Sequence, residues 1–148
     1  MSSALEVLMN ENSLNDFSKY DQKSSLHSIF PNPPVSKRAV LQARQAAEVK
    51  LTCEVVAKVY NISGTALASP TRGEAHVALA RQIAMYLAHV TFGMSLGAVG
   101  RHFRRDRTTA AYACRKIEDR RDNPGFDLML DRLEHALKSL STARFGVQ

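Results

Sequence analysis

The chain has 148 residues, 45% of them hydrophobic and 7% aromatic, two cysteines and a formal net charge of +6. That length suits one domain with a small core, while a disulfide framework and a large aromatic ligand pocket are excluded, and no stretch approaches the roughly 20 apolar residues of a membrane span. The basic balance points to an acidic partner, nucleic acid ahead of an anionic membrane surface.

Residues 1–36 are rich in Ser and Asn and end in "FPNPPVS", where Pro31, Pro33 and Pro34 disfavour helix and mark a boundary. A disordered tail is predicted over 1–36, in which "ALEVLMN" offers at most a short docking helix. With neither a basic start nor a cleavage signal, a cytoplasmic, nucleoid-associated location is expected. Ser36 can cap a helix beginning at Lys37. Residues 37–60 form either one helix or two joined near Leu51, where Thr52 offers a second cap. The first part, 37–50, reads as an arm or linker that could dimerise or hold a protein partner, and 51–148 as the main domain. "NISG" ends the run, and "SPTRG" (Ser69 to Gly73) is a loop by composition.

From Glu74 to Thr91 the spacing is helical, with Val77, Ala80, Ala84, Leu87 and Thr91 on one stripe widened by Ile83 and Val90. Gly93 is a natural stop, and Ser95 can cap a short helix whose apolar face is Leu96, Val99 and Phe103. A further helix follows Asp106, carrying the ladder Ala110, Ala113, Cys114 and Ile117. "DNPG" breaks it, and a last helix turns Phe126, Met129, Leu130, Leu133, Leu137 and Leu140 inward. No alternating pattern occurs, so the fold class is all-α.

Charge concentrates in this region: eight basic against three acidic residues lie between Ala98 and Arg121. Asp106 sits at an N-cap position, from which its carboxylate can accept from the N–H of Thr108 or Thr109. With the ladder buried, Arg107, Thr108, Ala111, Tyr112, Arg115 and Lys116 are left on the opposite side, and Arg101, Arg104 and Arg105 lie close by if the two helices cross. Two short helices, the second starting with small polar groups ringed by basic residues, describe a helix-turn-helix that enters the major groove of double-stranded DNA N-terminus first. A solvated basic face is the competing reading.

"ARQIAMYLAHVTFGMSLGAVGRHFRRDRTTAAYACRKIEDRR" resembles the C-terminal DNA-binding domain of the bacterial chromosomal replication initiator, DnaA. The family pattern, R-Q and an apolar helix, S-L-x-x-I-G-x-x-F, R-D-H-T-T and A-C-R-K-I, has counterparts in Arg81-Gln82, Ser95-Leu96, Val99-Gly100, Phe103, Arg105 to Thr109 and Ala113 to Ile117. The likeness extends over about residues 51–140. It implies a Trp-repressor-like helix-turn-helix in which Asp106, Arg107, Thr108 and Thr109 read bases. Arg81, Gln82, His89, Arg101, Arg104, Arg105, Tyr112, Arg115 and Lys116 would lie along phosphates, and Arg72 in the minor groove.

Departures from the pattern imply altered specificity. Arg107 replaces a histidine, His89 a lysine and Gly97 a proline. One turn glycine is missing, and Arg104 fills a place that is usually small. Nothing matches G-x-x-x-x-G-K-[ST], so the expectation is a stand-alone relative without the ATPase module: a transcriptional regulator, or else a replication modulator competing for initiator boxes. A protein-interaction adaptor without a DNA role is the alternative from another class. RNA binding is disfavoured because Tyr112 is the lone aromatic on the contact face. The histidines at 27, 76, 89, 102 and 135 show no ligand spacing and no pairing with Cys53 or Cys114, so no catalytic, metal or cofactor site is expected.

Overall fold

A computed structural model of the chain describes residues 34–71 and 73–146. The predicted tail, its "ALEVLMN" segment and Arg72 lie outside them. Among the described residues there are six helices and no strand: α1 (Lys37–Val59), α2 (Gly64–Ala68), α3 (Ala75–Phe92), α4 (Leu96–Phe103), α5 (Arg107–Arg120) and α6 (Pro124–Phe145). The all-α expectation holds.

The alternatives for residues 37–60 resolve to one helix. Thr52 starts nothing: its hydroxyl donates back to the Glu48 carbonyl at 2.8 Å, satisfying itself inside α1. No residue of α1 is buried before Glu48, and Val40 and Leu41 stand exposed, so the first turns of this helix lie beside no core. The helix runs unbroken through the expected boundary at 50/51. Glu48 is buried and takes a 3.0 Å ion pair from Arg44 one turn earlier, which offsets the cost of enclosing its charge.

α2 answers to no element expected from the sequence. Its five residues start at Ser63, whose hydroxyl accepts from the Ala66 N–H at 3.2 Å. The remaining starts and stops follow local chemistry. Ser95 accepts from the Ala98 N–H and Asn123 from the Phe126 N–H, while Gly93 ends α3 in the left-handed conformation at φ 64.

α3 is the centre of the molecule, and its single predicted stripe is a correction: every residue from Ile83 to Ala88 is buried, whereas Val90 is exposed. A helix enclosed on nearly all sides is apolar all round, which hides its period. α5 packs chiefly on α3 and α4, with the ladder Ala110, Ala113, Cys114 and Ile117 buried as expected. Alanines on both partners (Ala80, Ala84 and Ala88 on α3, Ala110 and Ala113 on α5) keep the contact short. On α6 the buried stripe is Leu130, Leu133, Leu137 and Ser141, and Leu140, expected inside, is 46% exposed. Phe126 and Met129 are half-buried against the same core.

A second buried group, formed by Val49, Met85, Ala88, Met94, Ala98, Val99, Ala110 and Ala113, lies under the α4–α5 pair and joins it to α1 and α3. It fixes the helix pair in place.

Candidate nucleic-acid interface

The turn between α4 and α5 is closed by two backbone hydrogen bonds, Arg105 N–H to the Gly100 carbonyl at 2.8 Å and Arg104 N–H to the Arg101 carbonyl at 3.3 Å. This is the Schellman pattern of a helix end. Gly100 makes it possible: a Cβ there would stand 2.6 Å from the Arg105 carbonyl oxygen, inside any tolerable contact. The tight turn brings the end of α4 against the start of α5.

Beside it lies a concavity of about 760 Å³, lined by residues of α3, α4, α5 and the turn that include Arg81, Gln82, Arg101, Arg104, Arg105, Asp106, Thr108, Thr109 and Tyr112. Of the residues expected on one surface, His89, Arg107, Arg115 and Lys116 do not line this concavity. Arg107, Thr108, Thr109, Tyr112 and Arg115 are exposed on α5, and Lys116 is half-buried. The Lys116 ammonium rests 5.5 Å from the Tyr112 ring centroid and donates to its hydroxyl at 3.4 Å, so the two side chains form a unit.

Four placements differ from expectation. Asp106 has N-cap backbone angles (φ −67, ψ 154), yet its carboxylate makes no cap bond. The first-turn N–H groups of α5 and the carboxylate thus remain open to outside partners. Arg81 is only 5% exposed and points into the protein: Nε donates to the Leu67 carbonyl and Nη2 to the Ala66 carbonyl, both at 3.0 Å. Arg105 Nη2 donates to the Ser69 carbonyl at 3.3 Å. Together these two arginines hold the end of α2 and the start of the loop that follows, which is a positioning task where phosphate contacts were expected. Burial, and then the charge of Arg105, pull the Arg81 pKa down from its ordinary value. His89, finally, faces the Met94 carbonyl at 2.6 Å. A carbonyl only accepts, so Nδ1 carries the proton and Nε2 is the ring atom left for another partner. Arg72, expected in the minor groove, belongs to the undescribed part of the same loop.

Electrostatics separates the arginines into two groups. Arg121, counted within the basic span, reaches Asp127 at 2.6 Å, Asp131 at 2.5 Å, and Glu134 and the Tyr86 hydroxyl at 2.9 Å. Its donors are engaged inside the protein. Arg101, Arg104, Arg107 and Arg115 have no carboxylate partner among the described residues. Charged side chains clustered on one face without counter-ions raise the potential there and favour an anion. No motif marks the carbonyl acceptors at Ala66, Leu67 and Ser69, because a helix as short as α2 displays no period. Cys53 and Cys114 have thiol pKa values pushed up to about 11, by burial first and then by Glu54 and Glu118 respectively, so neither is poised as a nucleophile.

Comparison with known proteins agrees with this geometry. Residues 49–117 match the family described as the bacterial dnaA protein helix-turn-helix. The chromosomal replication initiator protein DnaA of Lactococcus lactis subsp. cremoris is 40% identical over 88 residues, which are 59% of this chain and 19% of that protein. DnaA of Bradyrhizobium sp. is 38% identical over 102 residues, 62% of this chain and 21% of its own. DnaA of Mesorhizobium japonicum is 47% identical over 66 residues, 44% of this chain and 13% of its own. The match thus spans about a fifth of these relatives or less. A crystal structure of a DNA replication initiation factor superposes with a TM-score of 0.60 at 28% identity, covering 66% of this chain and 30% of that one.

Proposed function

We propose, from the match of residues 49–117 to the bacterial dnaA helix-turn-helix family, that the chain binds double-stranded DNA with sequence preference and acts as a transcriptional regulator through the sites it occupies. α5 lies in the major groove with its N-terminus leading. Thr108 and Thr109 meet base edges or a thymine methyl, and Asp106 accepts from an exocyclic amine. Arg107 takes a guanine edge or a phosphate. Arg101, Arg115 and Lys116 lie along the phosphates, with Gln82 and Tyr112 at the rim and the His89 Nε2 within reach of the same strand. Arg72 is assigned to the minor groove by the resemblance. The observation that carries the reading is the set of exposed, carboxylate-free arginines around a helix start whose own cap is unfilled.

The experiment is binding to a random-sequence duplex and to a site selected from a random pool, each across a salt series. Log affinity should fall linearly with log salt, by about 0.9 for each phosphate contacted. Thr108→Ala should cost about 1–3 kcal/mol on the selected site and little on random DNA. An equal loss on both would remove base reading from the account, and no binding at low salt would end it. The initiator relatives favour one second reading, in which the chain occupies initiator sites and modulates replication. The motif recovered by selection separates the two, because that reading requires it to coincide with the initiator's.

A further inference from the structure

Two described residues other than glycine have a positive φ, Asn61 at 50° and Arg104 at 53°. Asn tolerates this region because its short side chain bonds locally, but an arginine there has its Cβ crowded by its own backbone. At φ 53 and ψ 47 Arg104 occupies the C′ position of the Schellman turn, where glycine is the usual solution. The same turn uses glycine at 100, where a Cβ would collide, and leaves the backbone strain on an arginine.

The backbone hydrogen bonds of the turn hold Arg104 there, and its side chain finds no compensating partner among the described residues. The Arg104 side chain is exposed and has no hydrogen bond or ion pair among the described residues. It also lines the concavity beside Arg101 and Arg105, where Asp106 supplies a single carboxylate, so the excess of positive charge adds repulsion to strain. Both unfavourable terms are present in the free protein, and an anion seated against the turn offsets the second. Resting on the DNA-binding reading, we propose that Arg104 is a sequence-independent phosphate contact held in a left-handed turn, trading stability of the fold for affinity.

The test uses the full chain and three variants, R104G, R104A and R104K, each melted thermally and titrated with a random-sequence duplex over a salt series. R104G should raise the thermal midpoint by a few degrees, weaken duplex binding severalfold and reduce the salt slope by about one contact's worth, ~0.9. R104A keeps the strained Cβ but loses the charge, so its slope should fall with a smaller gain in midpoint than R104G shows. R104K should retain both the slope and the lower midpoint. An unchanged slope in R104G overturns the contact, and an unchanged or lower midpoint overturns the trade. Failure of the unaltered chain to bind any duplex refutes the DNA-binding reading itself, while the R104G midpoint still measures the strain.

Discussion

Arginine takes three different roles within this small domain, and partners decide among them. Arg81 and Arg105 turn to carbonyls, Arg121 to carboxylates, and Arg101, Arg104, Arg107 and Arg115 to neither. Position 107 is where a single side chain should change what is read. A guanidinium favours a guanine edge or a phosphate, whereas imidazole packs on a thymine methyl. Selection from a random duplex pool with the natural chain and with Arg107→His should therefore return different motifs, and identical motifs would dismiss the idea. Gly100 is the opposite kind of residue, needed for what it lacks. Gly100→Ala would place a Cβ 2.6 Å from the Arg105 oxygen and 3.2 Å from the Asp106 carbonyl carbon, both of them backbone atoms that cannot swing aside. Denaturant unfolding should show a loss of about 1–3 kcal/mol; an unchanged midpoint would mean the turn yields.

Among the helices, the joint at the far end of α5 is the one to probe. Arg121 ties α5 to Tyr86 of α3 and to three acids of α6. Asp127 and Asp131 are 40% and 57% exposed and contribute little, so Glu134 and the buried Tyr86 hydroxyl carry most of the effect. Arg121→Met keeps the stem and removes the donors; thermal unfolding should report a loss of about 1–3 kcal/mol. Equal stability would show that the joint is ornamental. Where the sequence was legible, the signal was local: Ser95 and Gly93 set the ends of their helices, and the four-residue ladder of α5 kept its period. Long-range arrangement was not. α2 is too short to display a period, α3 is apolar on all sides, and Leu140 falls beside a stripe that continues through Ser141. The inward turn of Arg81 was hidden because its acceptors are backbone carbonyls, which every sequence carries everywhere. Within the basic span, the motif placed the groups around α5 and left open which of them were already occupied.

For the molecule as a whole, the two thiols predict an alkaline limit. Cys53 and Cys114 are raised from 9.0 to about 11 in the folded chain, chiefly by burial, and burial raises the Tyr60 phenol from 10.0 as well. A folded pKa above the unfolded one stabilises below the unfolded value and is lost as pH rises through the folded one. The thermal midpoint should accordingly fall between pH 9.0 and about 11. Cys114→Ala should soften that decline, and the same slope in the variant would assign it elsewhere. In the other direction, burial and then Arg101 depress the His102 pKa from 6.5, so its share of stability is lost as pH drops below that value.

The near-contact at Gly100 has one more implication. The backbone of Gly100 lies so close to Arg105 and Asp106 that the end of α4 and the start of α5 have little room to pivot against each other. A reader that flexes little leaves the adjusting to what it reads. On the DNA-binding reading proposed above, preference should extend to base steps that no side chain reaches, with easily kinked pyrimidine–purine steps favoured over stiff A-tracts in a pool of selected duplexes.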